Sequence, residues 1–257
     1  MNKNLFPSAL GIVLGMTLLT GCETATFPPS AATPPNGVVS SAPEEPATPA
    51  EIIHAAAAQP LAPVAGDGWH TLFDGSSLNG WRVTDFGVVG RVKLQQGLMV
   101  FWMGGPFMGV NYTNEVPKLN YEVSLEAMRV AGEDFFCGLT FPVGDSFASL
   151  IVGGWGGSVV GISSIDGADA SENETTRTMS FATGRWYHVR LRVSEQKIEA
   201  WIDQKKVVDV MTAGHKFSLR AGDIKLSKPF GLASWLTTAA FRNIKIRDVE
   251  GPADSAK

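Results

Sequence analysis

The chain has 257 residues and a formal charge of −4, with no strong block of like charge, so it lacks the electrostatic footprint of a nucleic-acid binder. All seven Trp lie between Trp69 and Trp235, whereas nine of the 15 Pro fall between Glu23 and Gly66. A Pro-rich N-terminal part is thereby set apart from an aromatic-rich remainder.

At the N-terminus, Lys3 precedes the apolar run Ala9 to Leu19, and Leu19-Thr20-Gly21-Cys22 follows. The run is too short to span a bilayer and has the layout of a signal peptide. Its end resembles the lipobox of bacterial lipoproteins, in which cleavage before the Cys exposes a thiol and an amine that are both acylated. The resemblance implies that residues 1–22 are a lipoprotein signal peptide and that Cys22 is the lipidation site. An exported chain held in the cell envelope is therefore expected, with Glu23 leaning toward the outer membrane and several acyl chains giving stable anchoring. With Cys22 acylated, Cys137 is the remaining thiol, so no intrachain disulfide is expected. Its apolar setting, FFCGLTF, reads as that of a buried and inert thiol.

Glu23 to Gly66 is rich in Pro, Ala, Ser and Thr and reads as a disordered linker of 44 residues. A flexible chain of that length spans about 35–40 Å root-mean-square. Within it, Glu51 to Ala58 is expected to form a short helix. From Asp67 to Val249 the pattern changes to period-two alternation broken by Gly, Asp and Asn, ahead of a polar tail over residues 250–257. Strands are expected near Arg91 to Leu94, Leu98 to Met103, Tyr121 to Val130, Phe135 to Val143, Ala148 to Val152 and Ser158 to Ser163. Further ones follow at Arg185 to Val193, Lys197 to Asp203, Lys206 to Val210, Phe230 to Leu236 and Ala240 to Asp248. Many short strands separated by turn signals predict an all-β sandwich or jelly roll.

Side chains alternate along a strand. Tyr121, Val123, Leu125 and Ala127 share one face, with Glu122, Ser124, Glu126 and Met128 on the other; likewise Tyr187, Val189 and Leu191 oppose Trp186, His188 and Arg190, and Ile198 and Ala200 oppose Glu199 and Trp201. The mixed face is either the solvated side of an antiparallel sheet or a concave surface on which Trp186 or Trp201 stacks against a sugar. Phe147 to Phe181 forms a hairpin in which two glycine pairs enclose Trp155, followed by an acidic, hydroxyl-rich loop. Trp155 is either a packed hairpin residue or a sugar platform. Asp166, Asp169, Ser171, Asn173 and Glu174 offer hard oxygen donors without EF-hand spacing, and the four His lack zinc-ligand spacing.

Gly68-Trp69-His70-Thr71-Leu72-Phe73-Asp74-Gly75-Ser76-Ser77-Leu78-Asn79-Gly80-Trp81 resembles the opening of the bacterial 3-keto-disaccharide hydrolase family, also described as 3-keto-glucoside lyase/hydratase. Asn120 to Glu126, Gly184 to Arg190 with Trp201-Ile202-Asp203, and Pro229 to Leu232 with Phe241 to Ile246 resemble its later strands, so the likeness runs from Gly68 to Asp248. It implies a concanavalin A-like jelly-roll sandwich of two antiparallel sheets and activity on 3-keto-glycosides. There a base removes the C2 proton, the C1 substituent leaves, and water adds to the resulting glucal. Where family members carry Glu and Gln, and then Gln and His, this chain has Val159, Val160 and Gly161, then Ala233 and Trp235.

Such chemistry needs a base, an acid and an enolate stabiliser. The candidate catalytic residues are Glu126, His188 and Asp134, with Glu199 and Asp203 as further carboxylates. Candidate sugar contacts are Trp155, Trp201, Trp235, Arg177 and Glu174, and Arg177, Arg190 or a divalent cation would stabilise the enolate. The alternative function is a non-catalytic carbohydrate-binding domain of the cell envelope.

Overall fold

The computed structural model describes residues 46–87 and 91–250; Cys22, the signal-peptide layout and the tail beyond Glu250 lie outside the described residues. The chain enters as helix α1 (Pro49–Ala57), then forms β1 (His70–Phe73), β2 (Trp81–Val83), β3 (Val92–Gln95), β4 (Leu98–Phe101), β5 (Phe107–Tyr112), β6 (Tyr121–Gly132), β7 (Cys137–Val143) and β8 (Ser146–Gly154). There follow β9 (Val159–Ser163), β10 (Arg177–Thr178), β11 (Trp186–Val193), β12 (Lys197–Ile202), β13 (Lys205–Met211), a 3₁₀ turn over Asp223–Ser227, β14 (Gly231–Trp235) and β15 (Thr237–Asp248). One sheet, A, has the order β13-β12-β11-β6-β15-β4-β3, with β1 also on β15; the other, B, runs β10-β9-β8-β7-β14-β5-β2. All the described pairings are antiparallel, and the result is the expected jelly-roll sandwich.

All eleven expected strands form. Those missed are β1, β2, β5 and β10. In β5 the apolar alternation is interrupted by Gly109, where a Cβ would lie 2.5 Å from the Leu232 carbonyl oxygen, so the residue that hides the strand in sequence is the one its packing requires. The core lies between the sheets: Val123, Leu125 and Ala127 of β6 and Val189 and Leu191 of β11 pack in one cluster with Leu139, Phe141, Leu150, Val160 and Ile162.

Sheet A is buried on its second face as well, and here the structure corrects the sequence reading. Residues 46–66, expected to belong to a linker, carry α1 and a strap that crosses the mixed face. Thr48 and Glu51 form a reciprocal capping box with Pro49 at the first turn, which fixes where the helix begins. Ile53 and Ala56 then pack with Leu98, Val100, Met128, Val130, Trp186 and Ala240 in a second apolar cluster. The helix end is held by Arg242, which donates to the carbonyls of Ala56 (3.3 Å), Gln59 (2.8 Å) and Pro60 (2.8 Å) and to Glu126 Oε1 (2.9 Å). A cation at a helix C-terminus satisfies carbonyls that have no intrahelical partner. Trp186 Nε1 also donates to Ala56 O.

Candidate active site

The hairpin between β8 and β9 lifts Trp155 onto the outer face of sheet B. Trp155 sits at φ +48°, and the turn is closed by the amides of Gly157 and Ser158 donating to the Gly154 carbonyl at 3.2 and 3.1 Å. The ring is 38% exposed. It borders a cleft of about 500 Å³ that is lined by Trp155, Trp235, Phe107 and Phe135, with Asp134, Asp223, Arg220, Ser149 and Ser163 supplying polar groups. Ser149 and Ile151 of β8 and Ser163 of β9 line it from the sheet side, and the glycines of the neighbouring strands make room for the aromatic wall. A Cβ at Gly138 would meet Phe135 at 3.0 Å and one at Gly109 would meet Phe86 at 2.9 Å, so these glycines let aromatic rings lie against the sheet. Phe107 meets Trp235 edge-on at 4.5 Å and stacks on Phe86 at 4.9 Å, which fixes the wall opposite Trp155.

The polar groups are held with comparable definition. Asp134 accepts from the amides of Phe135 (Oδ1, 2.7 Å) and Gly156 (Oδ2, 3.1 Å), so the carboxylate is locked to the Trp155 turn. Arg220 lies over the Trp155 ring with its guanidinium carbon 5.6 Å from the centroid. Its Nε pairs with Asp169 Oδ2 at 3.3 Å, while Asp169 Oδ1 accepts from the Ser163 and Ser164 hydroxyls at 3.0 and 2.9 Å. Asp223 opens the 3₁₀ turn and has no side-chain hydrogen bond or ion pair among the described residues. An aromatic wall with a few fixed polar groups is the usual make-up of a small-molecule site.

The sequence-predicted residues divide between two separate faces. Asp134, Trp155 and Trp235 meet in the cleft. Glu126 and His188 sit opposite each other on β6 and β11, on the outer face of sheet A. Glu126 is 2% exposed and paired with Arg242, so it faces no ligand space. His188 Nε2 lies 2.8 Å from Ser124 Oγ, and burial lowers its pKa, partly opposed by the charge of Glu126. Trp201 is on this face too, between the Arg190 guanidinium (4.2 Å) and the Lys206 ammonium (5.3 Å), and Glu199 is taken up by Lys197 and Lys206 at 2.9 and 2.6 Å. Asp203 pairs with Arg185 at 2.7 Å. The mixed face is thus divided: α1 buries the part around Met128, Trp186 and Ala240, which neither open reading foresaw, while the part around Glu122, Glu199 and Trp201 carries the cross-strand ion pairs expected of the solvated side of a sheet.

The loop after β9 is tied to itself and to the segment after β13. His215 bridges Asp166 through Nδ1 (2.7 Å) and Glu174 through Nε2 (3.1 Å). The Asn173 amide donates to the carbonyls of Ile162, Ala168 and Asp169. Arg177 donates to the Glu174 and Thr176 carbonyls. Glu174 and Arg177 are thus spent within the loop and do not line the cleft. The same holds for the oxygen donors weighed for a divalent cation: Asp166, Asp169 and Asn173 already have protein partners, and among the described residues no three of His, Cys, Asp and Glu group as a metal-binding set. The donor set does not fit a metal, and Arg220 is the cation that the cleft itself offers.

Arg220, Asp223, Phe107 and Phe135 are the cleft residues that the sequence reading passes over. Arg220-Ala221-Gly222-Asp223 lies between strands, and its one signal is Gly222, whose φ of +117° marks a turn that glycine alone tolerates well. Phe107 belongs to the strand hidden by Gly109.

No curated protein matches the chain. Among solved structures, the Crh5 transglycosylase in complex with NAG aligns at 12% identity and TM-score 0.48 over 73% of this chain and 86% of that one. A native glycosidic hydrolase aligns at 10% and 0.47 over 74% and 99%, and the carbohydrate-binding module CBM66 of Bacillus subtilis at 12% and 0.44 over 66% and 96%. Similarity this low puts no substrate in the cleft. The sequence itself is more specific: the 3-keto-alpha-glucoside-1,2-lyase-like domain matches residues 68–247, the whole span from just before β1 to the end of β15, and the chain belongs to that family.

Proposed function

We propose that the domain binds a 3-keto-glycoside in the sheet B cleft and cleaves it by elimination and hydration, as an exported lipoprotein anchored through Cys22. The observation that carries this reading is the cleft itself: two indoles and two phenyl rings, one guanidinium and two carboxylates converge on the outer face of sheet B. A pyranose ring has an apolar face that stacks on indole and hydroxyls that need directional partners. Trp155 supplies the stacking surface, and Asp134, fixed by two amides, orients hydroxyls. Asp223 is the base that takes the C2 proton. Arg220, with Nε held by Asp169 and no described hydrogen bond from its Nη atoms, stabilises the enolate oxygen formed at C3. The C1 oxygen leaves as the alcohol, taking the proton that Asp223 removed from C2, and the resulting glucal adds water, whose proton goes to C2 and whose hydroxyl goes to C1.

The test is incubation of the full-length chain with a 3-keto-glucoside, comparing wild type with Asp223→Asn and Arg220→Ala. Product above the buffer control that falls by at least about 100-fold in either variant supports the reading, and no product from wild type refutes it. A second reading, non-catalytic carbohydrate binding, is favoured by Gly161 and Ala233, which the family resemblance places near positions that carry polar side chains in other members. A Cβ at Gly161 would lie 2.9 Å from the Ala170 carbonyl and 3.1 Å from Thr175 Oγ1, so the space beside that strand is filled by the protein's own loop. Saturable binding without product identifies this second function.

A further inference from the structure

Arg129 points inward from β6 beneath the Trp155 hairpin and is 7% exposed. Its Nη2 lies within hydrogen-bonding distance of three carbonyl oxygens, those of Asp134 (3.2 Å), Gly153 (3.3 Å) and Gly157 (3.0 Å), and Nη1 donates to Phe181 O (3.4 Å). The guanidinium also lies 5.2 Å from the Phe136 ring centroid. None of its described hydrogen bonds goes to a carboxylate. A buried cation whose hydrogen bonds all go to carbonyls, with Nε left without a partner, is costly to keep, and three of these carbonyls belong to the residues that carry the cleft's own groups: Gly153 and Gly157 flank Trp155, and the Asp134 main chain holds the carboxylate beside it.

The glycines complete the case. A Cβ at Gly153 would come within 2.7 Å of Arg129 Nη2, and one at Gly157 within 2.7 Å of Glu133 O and 3.3 Å of the same Nη2, at φ values of +76° and +103°. Two of the four glycines around Trp155 therefore serve the approach of the guanidinium, and the turn they form is shaped around it. Arg keeps its charge at any accessible pH and offers donors in a rigid planar fork, so it fixes several oxygens relative to one another in a way a flexible ammonium does not.

We infer that Arg129 is a positioning residue that sets Trp155 and Asp134 in register across the cleft mouth. The inference rests on the cleft being the ligand site, and it is testable apart from that reading. Label the full-length chain with 5-fluorotryptophan, assign the Trp155 fluorine resonance by its loss in Trp155→Phe, and compare wild type with Arg129→Lys and Gly157→Ala. In either variant the Trp155 resonance is expected to shift or broaden while those of Trp186 and Trp201 stay in place. Affinity for a 3-keto-glucoside is expected to fall about tenfold or more. Gly157→Ala keeps the guanidinium and carries the test if Arg129→Lys does not fold. An unmoved Trp155 resonance with unchanged affinity in a folded variant overturns the inference. So does the collapse of all seven resonances in both variants, which assigns Arg129 to the fold as a whole. If wild type binds no probe, the site reading fails, and the resonance comparison still decides the role of Arg129.

Discussion

Glu126→Gln separates a catalytic carboxylate from a structural one. Glu126 and Arg242 are 2% and 4% exposed and meet at 2.9 Å. Breaking a buried pair by removing one charge costs about 3–5 kcal/mol. Arg242 keeps three carbonyl acceptors at the end of α1, so the expected loss lies at or just below the lower end, about 2–3 kcal/mol. For a domain of this size that corresponds to a melting point lowered by about 4–12 °C. The assay is thermal and urea unfolding of Glu126→Gln, Arg242→Met and the double variant. Because the two side chains touch, the double variant should be less destabilised than the sum of the singles by about 1–3 kcal/mol. Below its lowered melting point, Glu126→Gln should bind and turn over a 3-keto-glucoside as wild type does. Unchanged stability together with lost turnover would show that the Glu126–Arg242 pair is not structural and return Glu126 to the catalytic set.

Two further outcomes follow from titrating groups. The hydrogen bond that His215 donates to Asp166, with the nearby charges of Glu174 and Asp166 behind it, raises the pKa of His215 above 6.5, and the same bond with that from the Lys216 amide lowers that of Asp166 below 3.8. The His215 contribution is full below pH 6.5 and is lost as pH rises through its folded value; that of Asp166 is present above pH 3.8 and is lost as pH falls through its folded value. Protection factors for amides in the loop from Ile165 to Glu174, corrected for the intrinsic pH dependence of exchange, should therefore be highest between about pH 4 and 6.5, and His215→Ala should abolish their fall on the alkaline side. A local readout is needed because His188, with its pKa lowered by burial, makes global stability fall toward acid instead. The Cys137 thiol is buried and its pKa is pushed up to about 12. Peptide mapping after iodoacetamide at pH 8 should find it unmodified in the native chain and alkylated in urea; alkylation of the native chain would contradict its burial.

The sandwich was legible because strand alternation reports directly on burial, and β6, β11 and β12 keep their apolar sets on the inner side as parity requires. The covering of the outer face was not, since parity says which residues share a face and nothing about what lies on it. The clue was local: Thr48-Pro49-Ala50-Glu51 is a helix-start signal inside a stretch whose overall composition reads as linker. Asp134, Trp155 and Trp235, which line the cleft, stood out in the sequence because each lies at a turn or strand end beside glycines or aromatics. Arg220 and Asp223 were missed because their place in the cleft depends on how the segment before β14 folds back over sheet B, which no periodic pattern encodes. Arg129 was hidden on a strand whose neighbours alternate cleanly, where a lone arginine looks solvent-facing although it is nearly buried.

Fluorine resonances of the seven tryptophans, followed during titration with a 3-keto-glucoside, report whether ligand meets this protein at the sheet B cleft. The resonances of Trp155 and Trp235 should move saturably while those of Trp186 and Trp201 do not. Movement of Trp201 or Trp186 with Trp155 unchanged would place the ligand on sheet A and contradict the account.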